Sequence, residues 1–183
     1  MEWVLGVLAG ISLSAACGFR VFVPMLVMSI AAHAGHLEPS SGFEWLGSWP
    51  ALLCFGVATV VEIIAYFVPV VSNLLDSVAT PAAAVAGTIL TASMTGDVSP
   101  WLRWILAVIA GGTVAGGIQL ATVSLRSAAS PLGGSGAIAA AEDGAAILTS
   151  VLAIVLPVLT AALLVIFAVL LVRRKQKVRA GIR

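Results

Sequence analysis

The sequence predicts an all-α fold: a polytopic transmembrane helical bundle of about five membrane segments, the first of them broken or re-entrant. Three observations predict it. Of 183 residues, 61% are hydrophobic and 9% are charged, a balance far outside that of soluble domains. The apolar residues gather in runs, and a bilayer core of about 30 Å takes about 20 helical residues per crossing. Six of the nine basic residues (Arg173, Arg174, Lys175, Lys177, Arg179 and Arg183) close the chain, as expected of a cytoplasmic tail. The expected organisation is one transmembrane domain over residues 1–172 and a basic cytoplasmic tail over 173–183.

The first apolar segment, Trp3 to Ala32, is interrupted near its middle by Gly18, Arg20 and Pro24. At 1.5 Å per residue its length exceeds the bilayer thickness. Either it crosses once at a tilt, or it enters and returns as a hairpin whose tip holds Arg20. A polar connection with Trp45 and Trp49 leads into the second helix, Ala51 to Val68, which points at Pro69. Tryptophans in such connections suit the membrane–water interface.

A turn over Val70–Thr80, holding Asn73 and Asp76, is expected before a third helix, Pro81 to Thr95, and a fourth runs from Trp101 to about Leu125. Residues 127–144 contain Ser130-Pro131-Leu132-Gly133-Gly134-Ser135-Gly136 and read as a loop that ends at Glu142-Asp143. The last helix then spans Ala145 to Val172, with a bend at Pro157. Glu142 and Asp143 would complement the dipole at its start. With the tail in the cytoplasm, loops 33–50 and 96–103 fall on that side and residues 69–80 and 126–144 on the other.

Several function classes are excluded by what the residues lack. The basic tail has no aromatic platform or nucleic-acid-binding fold beside it, so no nucleic acid is expected. Cys17 and Cys54 sit in apolar runs and suggest neither disulfide nor metal cluster. Ser14-Ala15-Ala16-Cys17 faintly resembles a lipoprotein cleavage site, but the N-terminus carries Glu2 without Lys or Arg, so the first segment is kept as mature structure. His33, His36 and Glu38 are spaced for a divalent metal, yet at an interface without further ligands they read as solvated, and no metal is expected. Nucleotide and nucleophile motifs are absent. No cofactor and no enzymatic activity are expected, and no catalytic residue is assigned.

Chemistry is instead expected from the ionisable residues kept at membrane depth, where a charge costs about 2.5–3.5 kcal/mol and faces the bundle interior. Glu62 lies inside the second helix with Thr59 and Tyr66 three residues before and four after it, on one stripe. Asp76, Glu142, Asp143 and Arg126 fall on the side of the membrane that Glu62 approaches. Such a group suits proton coupling or cation binding. Arg20, always cationic, suits a carboxylate partner or an anionic group. The bland alternative is a permanent bridge from Arg20 to Glu62 or Asp76. On the fourth helix Gly112, Gly116, Gln119, Val123 and Arg126 share an arc of roughly 80°. Gly112-x-x-x-Gly116 is a close-packing spacing, read as internal packing ahead of a homo-oligomer.

The stretches Ser14-Ala-Ala-Cys-Gly-Phe-Arg-Val-Phe-Val-Pro-Met-Leu26, Val61-Glu-Ile-Ile-Ala-Tyr-Phe-Val-Pro-Val-Val-Ser-Asn-Leu-Leu-Asp76 and Ala141-Glu-Asp-Gly144 resemble a bacterial membrane family, domain-of-unknown-function family 4126. The resemblance covers nearly the whole chain. It implies a small multi-pass protein of the bacterial inner membrane, and it points to Gly18, Arg20, Pro24, Glu62, Pro69, Asp76, Glu142 and Asp143. Where it implies more basic character before the Gly-rich loop, this chain has Gln119 and Thr122 with only Arg126, which argues against anion binding by the loop.

The resulting expectation is a transporter or channel-like protein for an ion or small solute, driven by protons, with Arg20, Glu62, Tyr66, Asp76, Glu142 and Asp143 as its site. Membrane lipid is the expected partner. The alternatives are a structural or assembly subunit of a membrane complex and a protein that handles lipid or polyprenyl phosphate.

Overall fold

The computed structural model describes residues 2–96, 98–129, 135–166 and 169. The basic tail and the Gly133-Gly134 segment lie outside the described residues. Helix α1 (Glu2–Cys17) and helix α2 (Phe22–His33) are followed by a short 3-10 turn, Glu44–Gly47, and by α3 (Trp49–Tyr66) and α4 (Pro69–Met94). Helix α5 (Pro100–Leu106), a π-helical stretch (Ala107–Gly112) and α6 (Thr113–Ala129) form one continuous rod. Helix α7 (Ser135–Val155) comes next, and a short apolar helix, Pro157–Ile166, follows it. There is no strand among the described residues.

The helix starts follow from local chemistry. Ser48 accepts from the Ala51 N–H at 3.3 Å and Ser99 from the Leu102 N–H at 3.4 Å, each satisfying a donor that the first turn leaves orphaned. Prolines occupy the first turns of α3, α4 and α5, where a missing N–H costs nothing. Glu44, outside the helical spans, accepts from the Gly42 N–H at 2.9 Å. Its own N–H and that of Gly42 hold its carboxyl below the usual carboxylate range.

Four helical stretches are long and apolar enough to cross a membrane: Trp49–Tyr66, Val70–Met94, Pro100–Ala128 and Gly136–Val155. Arms α1 and α2 are not. At 16 and 12 residues they reach about 24 and 18 Å, short of the roughly 30 Å hydrocarbon core. Their packing settles which of the two expected forms they take. Gly6 of α1 abuts the Met94 backbone, Gly10 abuts Thr91, and the Ser14 hydroxyl donates to the Gly87 carbonyl at 2.6 Å, so α1 runs antiparallel to α4. Helix α2 then returns: Ser93 lies 3.4 Å from the Met28 sulfur, and Ser29 donates to the Leu46 carbonyl at 2.6 Å. Both arms therefore end beside the C-terminus of α4. The first segment is a helical hairpin, the form expected of a re-entrant segment.

All five tryptophans of the sequence agree with that topology. Trp3, Trp45, Trp49, Trp101 and Trp104 are exposed, and all lie at the end of the bundle where α1 begins and α2 and α4 finish. Exposed tryptophans gathered at one end suit a membrane–water interface. The same end is tied by Arg103, which is buried and donates to the carbonyls of Ser41 and Gly96, both at 3.1 Å. Between hairpin and α4 sits the apolar core, including Leu13, Met25, Met28, Leu46 and Leu90.

Three expected boundaries are corrected. Residues 70–80 are not a turn: α4 is continuous with Pro81 inside it. Asp76 is held there because Arg126 on α6 lies 3.3 Å away, so its charge needs no exit to water. Residues 127–144 are not one long loop either, since α6 persists to Ala129 and α7 begins at Ser135. The Ala137–Ala141 stretch is strong helix former, and it moves Glu142 and Asp143 from a first turn to mid-helix. The dipole reading of those acids therefore falls. Finally, the fourth helix carries a π-helical stretch. There Gly111 meets Gly87 and Thr91 of α4, and a Cβ at Gly87 would stand 2.6 Å from the Ala115 side chain. The bend at Pro157 is present as a break after Val155.

Two measurements check this architecture. Single cysteines placed at Trp3, Glu38 and Ser99 will be labelled by an impermeant maleimide from the same membrane face; labelling of position 3 from the opposite face would replace the hairpin with a crossing helix. Gly87→Val will lower stability by about 1–3 kcal/mol through overpacking against the π stretch, read as a fall in melting temperature.

Candidate functional site

The hairpin tip organises the site. Helix α1 stops at Cys17, and the N–H groups of Gly18, Phe19 and Arg20 turn back onto the carbonyls of Ala15 and Ala16 at 3.0–3.1 Å. A Cβ on Gly18 would collide with Ile118 of α6, so only glycine lets the tip seat there. Thr122 donates to the Gly18 carbonyl at 3.3 Å. Helix α2 then starts with free N–H groups, and Glu62 on α3 receives them: Val21 N–H at 2.8 Å on one carboxylate oxygen and Phe22 N–H at 3.0 Å on the other. Glu62 is thus a helix cap supplied from another helix, set against the positive end of the α2 dipole. Pro24 sits in the first turn of α2 and does not cause the break. Pro69 likewise begins α4.

Arg20 is 1% exposed, and each of its nitrogens has an acceptor on α7. Nε donates to Asp143 at 2.5 Å, one terminal nitrogen to Glu142 at 3.2 Å and the other to the Ala139 carbonyl at 3.1 Å. The expected alternatives for Arg20, a bridge to Glu62 or to Asp76, are both replaced by this fork onto Glu142 and Asp143. Asp76 belongs instead to Arg126, which is 3% exposed and lies 3.5 Å from the Glu142 oxygen that Arg20 also contacts. Tyr66 joins the two halves. The Arg20 guanidinium lies 4.0 Å and that of Arg126 4.3 Å from its ring centroid, a contact worth about 2 kcal/mol when desolvated.

Glu62, Tyr66, Asp76, Glu142, Asp143 and Arg20 thus come together, and Arg126, expected both on the packing stripe of its helix and on the side of these acids, joins them. Four carboxyls face two guanidiniums. Glu142 is 5% exposed, and its second oxygen has no hydrogen-bond partner among the described residues. Gln119, one face of α6 away, is also buried with its amide nitrogen unmatched. Gly112 and Gly116 stand apart from this group and pack on α4, against Thr88 and Ala84. His33 is not gathered with other ligands: its Nδ1 lies 2.9 Å from the Gly47 carbonyl and its ring abuts Trp49. Sequence reasoning missed the backbone members, the Val21 and Phe22 amides and the Ala139 carbonyl. No residue type signals them, because every residue carries the same backbone groups.

Beside the cluster a cavity of about 700 Å³ opens between α3 and α4. Its walls are largely aliphatic, and Glu62 and Tyr66 mark its polar part. Arg20 does not line it.

Removing one partner from a buried ion pair costs about 3–5 kcal/mol because the other charge is left without an offset. Arg20→Ala will show a loss of that size in thermal unfolding in detergent. Arg20→Lys will recover little of it, since an ammonium cannot reproduce the planar three-way fork.

Nothing among curated proteins and nothing among solved structures matches the chain. A family model does match, over residues 7–177, and so takes in every residue of the cluster. The chain belongs to the family described as Domain of unknown function (DUF4126), and with its four membrane-length apolar helices it is a multi-pass membrane protein.

Proposed function

We propose that this chain is a small transport protein in which the carboxyl cluster takes up and releases a proton at membrane depth. The observation that supports the reading is charge balance. Among the described residues, Glu62, Asp76, Glu142 and Asp143 are gathered with Arg20 and Arg126 as counter-charges, and the partial charge at the α2 N-terminus offsets about half of one more. An unoffset carboxylate in a low-dielectric interior is expensive. A proton is the smallest counter-charge that reduces the excess, and the unmatched Glu142 oxygen is where it would reside. Broken helices whose ends meet buried charge are a recurrent feature of transporter sites.

Orientation follows from the tail. With residues 173–183 in the cytoplasm by the positive-inside rule, and α7 running from the hairpin tip toward the tryptophan end, that end is cytoplasmic and the cluster lies nearer the outer face of a bacterial inner membrane.

A second reading has its own support. Every guanidinium nitrogen of Arg20 is already matched, as a protein that only scaffolds a membrane complex would have it. Liposomes containing the purified protein and a pH-sensitive dye separate the two. On the transport reading an imposed pH gradient dissipates with wild-type protein, and Glu142→Gln or Glu62→Gln abolishes the flux. Wild-type protein that passes no proton in either direction overturns it and leaves the scaffold reading.

A further inference from the structure

The cavity between α3 and α4 is not used by the ion pairs, and its chemistry is specific. It lies within two membrane-length spans, Trp49–Tyr66 and Val70–Met94. Exposed Leu53, Val57, Val61 and Val78 form part of its walls, so it is open to the hydrocarbon and a ligand can enter sideways from the bilayer. Its volume of about 700 Å³ is in the range of sites for small organic molecules. The polar groups on the wall are a carboxyl, Glu62, a phenol, Tyr66, and the Cys54 thiol. An ionised carboxylate offers about four lone-pair sites, and the Val21 and Phe22 amides take two of them, one on each oxygen. Behind Glu62 stand three further acids, Asp76, Glu142 and Asp143, against two bases, Arg20 and Arg126.

From this we propose that the cleft binds a lipophilic cation, with its apolar body between α3 and α4 and its positive centre toward Glu62. Charge complementarity selects the sign. An apolar wall alone would take any hydrophobic molecule, but an anion of the same shape would meet Glu62 and the excess negative charge behind it. The inference rests on the cluster being a proton site, to which it adds a cargo: cation and proton would compete for one local excess of negative charge.

The test uses the intact protein in detergent with tetraphenylphosphonium and tetraphenylborate, which match in shape and differ in sign. Cys54 lines the cleft and is exposed while Cys17 is buried, so alkylation of Cys54 by N-ethylmaleimide reports occupancy. Tetraphenylphosphonium is expected to bind saturably and to slow Cys54 alkylation, with tetraphenylborate doing neither. Glu62→Gln should weaken binding by about tenfold or more. Because Glu62 also caps α2, Ala58→Phe serves as a second variant that fills the cleft and leaves every charged residue of the cluster in place. It should remove binding and keep the proton flux. Equal binding of the two ions, no protection of Cys54, or wild-type binding by Ala58→Phe overturns the proposal. Proton flux without phosphonium binding defeats this inference alone, and binding without proton flux defeats the proton reading alone.

Discussion

The fold depends on hiding one guanidinium. Arg20 cannot shed its charge, and it stands at the turn of a hairpin whose arms are each shorter than a membrane crossing. The only stable solution is to bring acceptors to it. Helix α7 supplies three of them within one turn, Ala139, Glu142 and Asp143, and α3 supplies the cap that lets α2 begin. Tyr66 then places Arg126, and with it Asp76 on α4, in the same group. Four separate parts of the chain are oriented by one buried charge.

The glycines and small residues of α1, α4 and the π stretch serve that end. Without a hydrophobic force between helices in lipid, close van der Waals approach and hydrogen bonds hold the bundle. Ser14 shows how the two combine. Its hydroxyl reaches the Gly10 and Gly87 carbonyls and lies 2.7 Å from the Thr91 hydroxyl, in a spot where the backbones of α1 and α4 nearly touch. The hairpin is thereby fixed along its length as well as at its tip. By contrast α3 shows most of its surface outward and meets the bundle chiefly through α2 and Glu62, which is what leaves the cleft beside it open.

Much of this was legible in the residues. Cost at membrane depth singled out Arg20, Glu62, Asp76, Glu142 and Asp143, and the interruption of the first segment announced a broken helix. What the sequence could not show was pairing. Arg20 is equally compatible with any of four carboxyls until helix directions are known, and its partners proved to be the most distant ones. Asp76 looked like a turn residue because polar side chains in an apolar run ordinarily mark an exit to water; a cation on another helix removes that need. The same reasoning failed for residues 135–144, where glycines outweighed the alanines in the reading. Hairpin and crossing helix were indistinguishable by length, and only contacts with Met94 and Ser93 decided between them.

The long separation of Arg20 from its acceptors has a consequence for biosynthesis. The contact to Glu142 closes 122 residues of chain, so the N-terminal hairpin leaves the ribosome well before the helix that neutralises it exists. Until then the cation lacks the three acceptors that match it in the folded chain. The acceptors on α7 are therefore the last part of the buried ion cluster to be made, and they complete it.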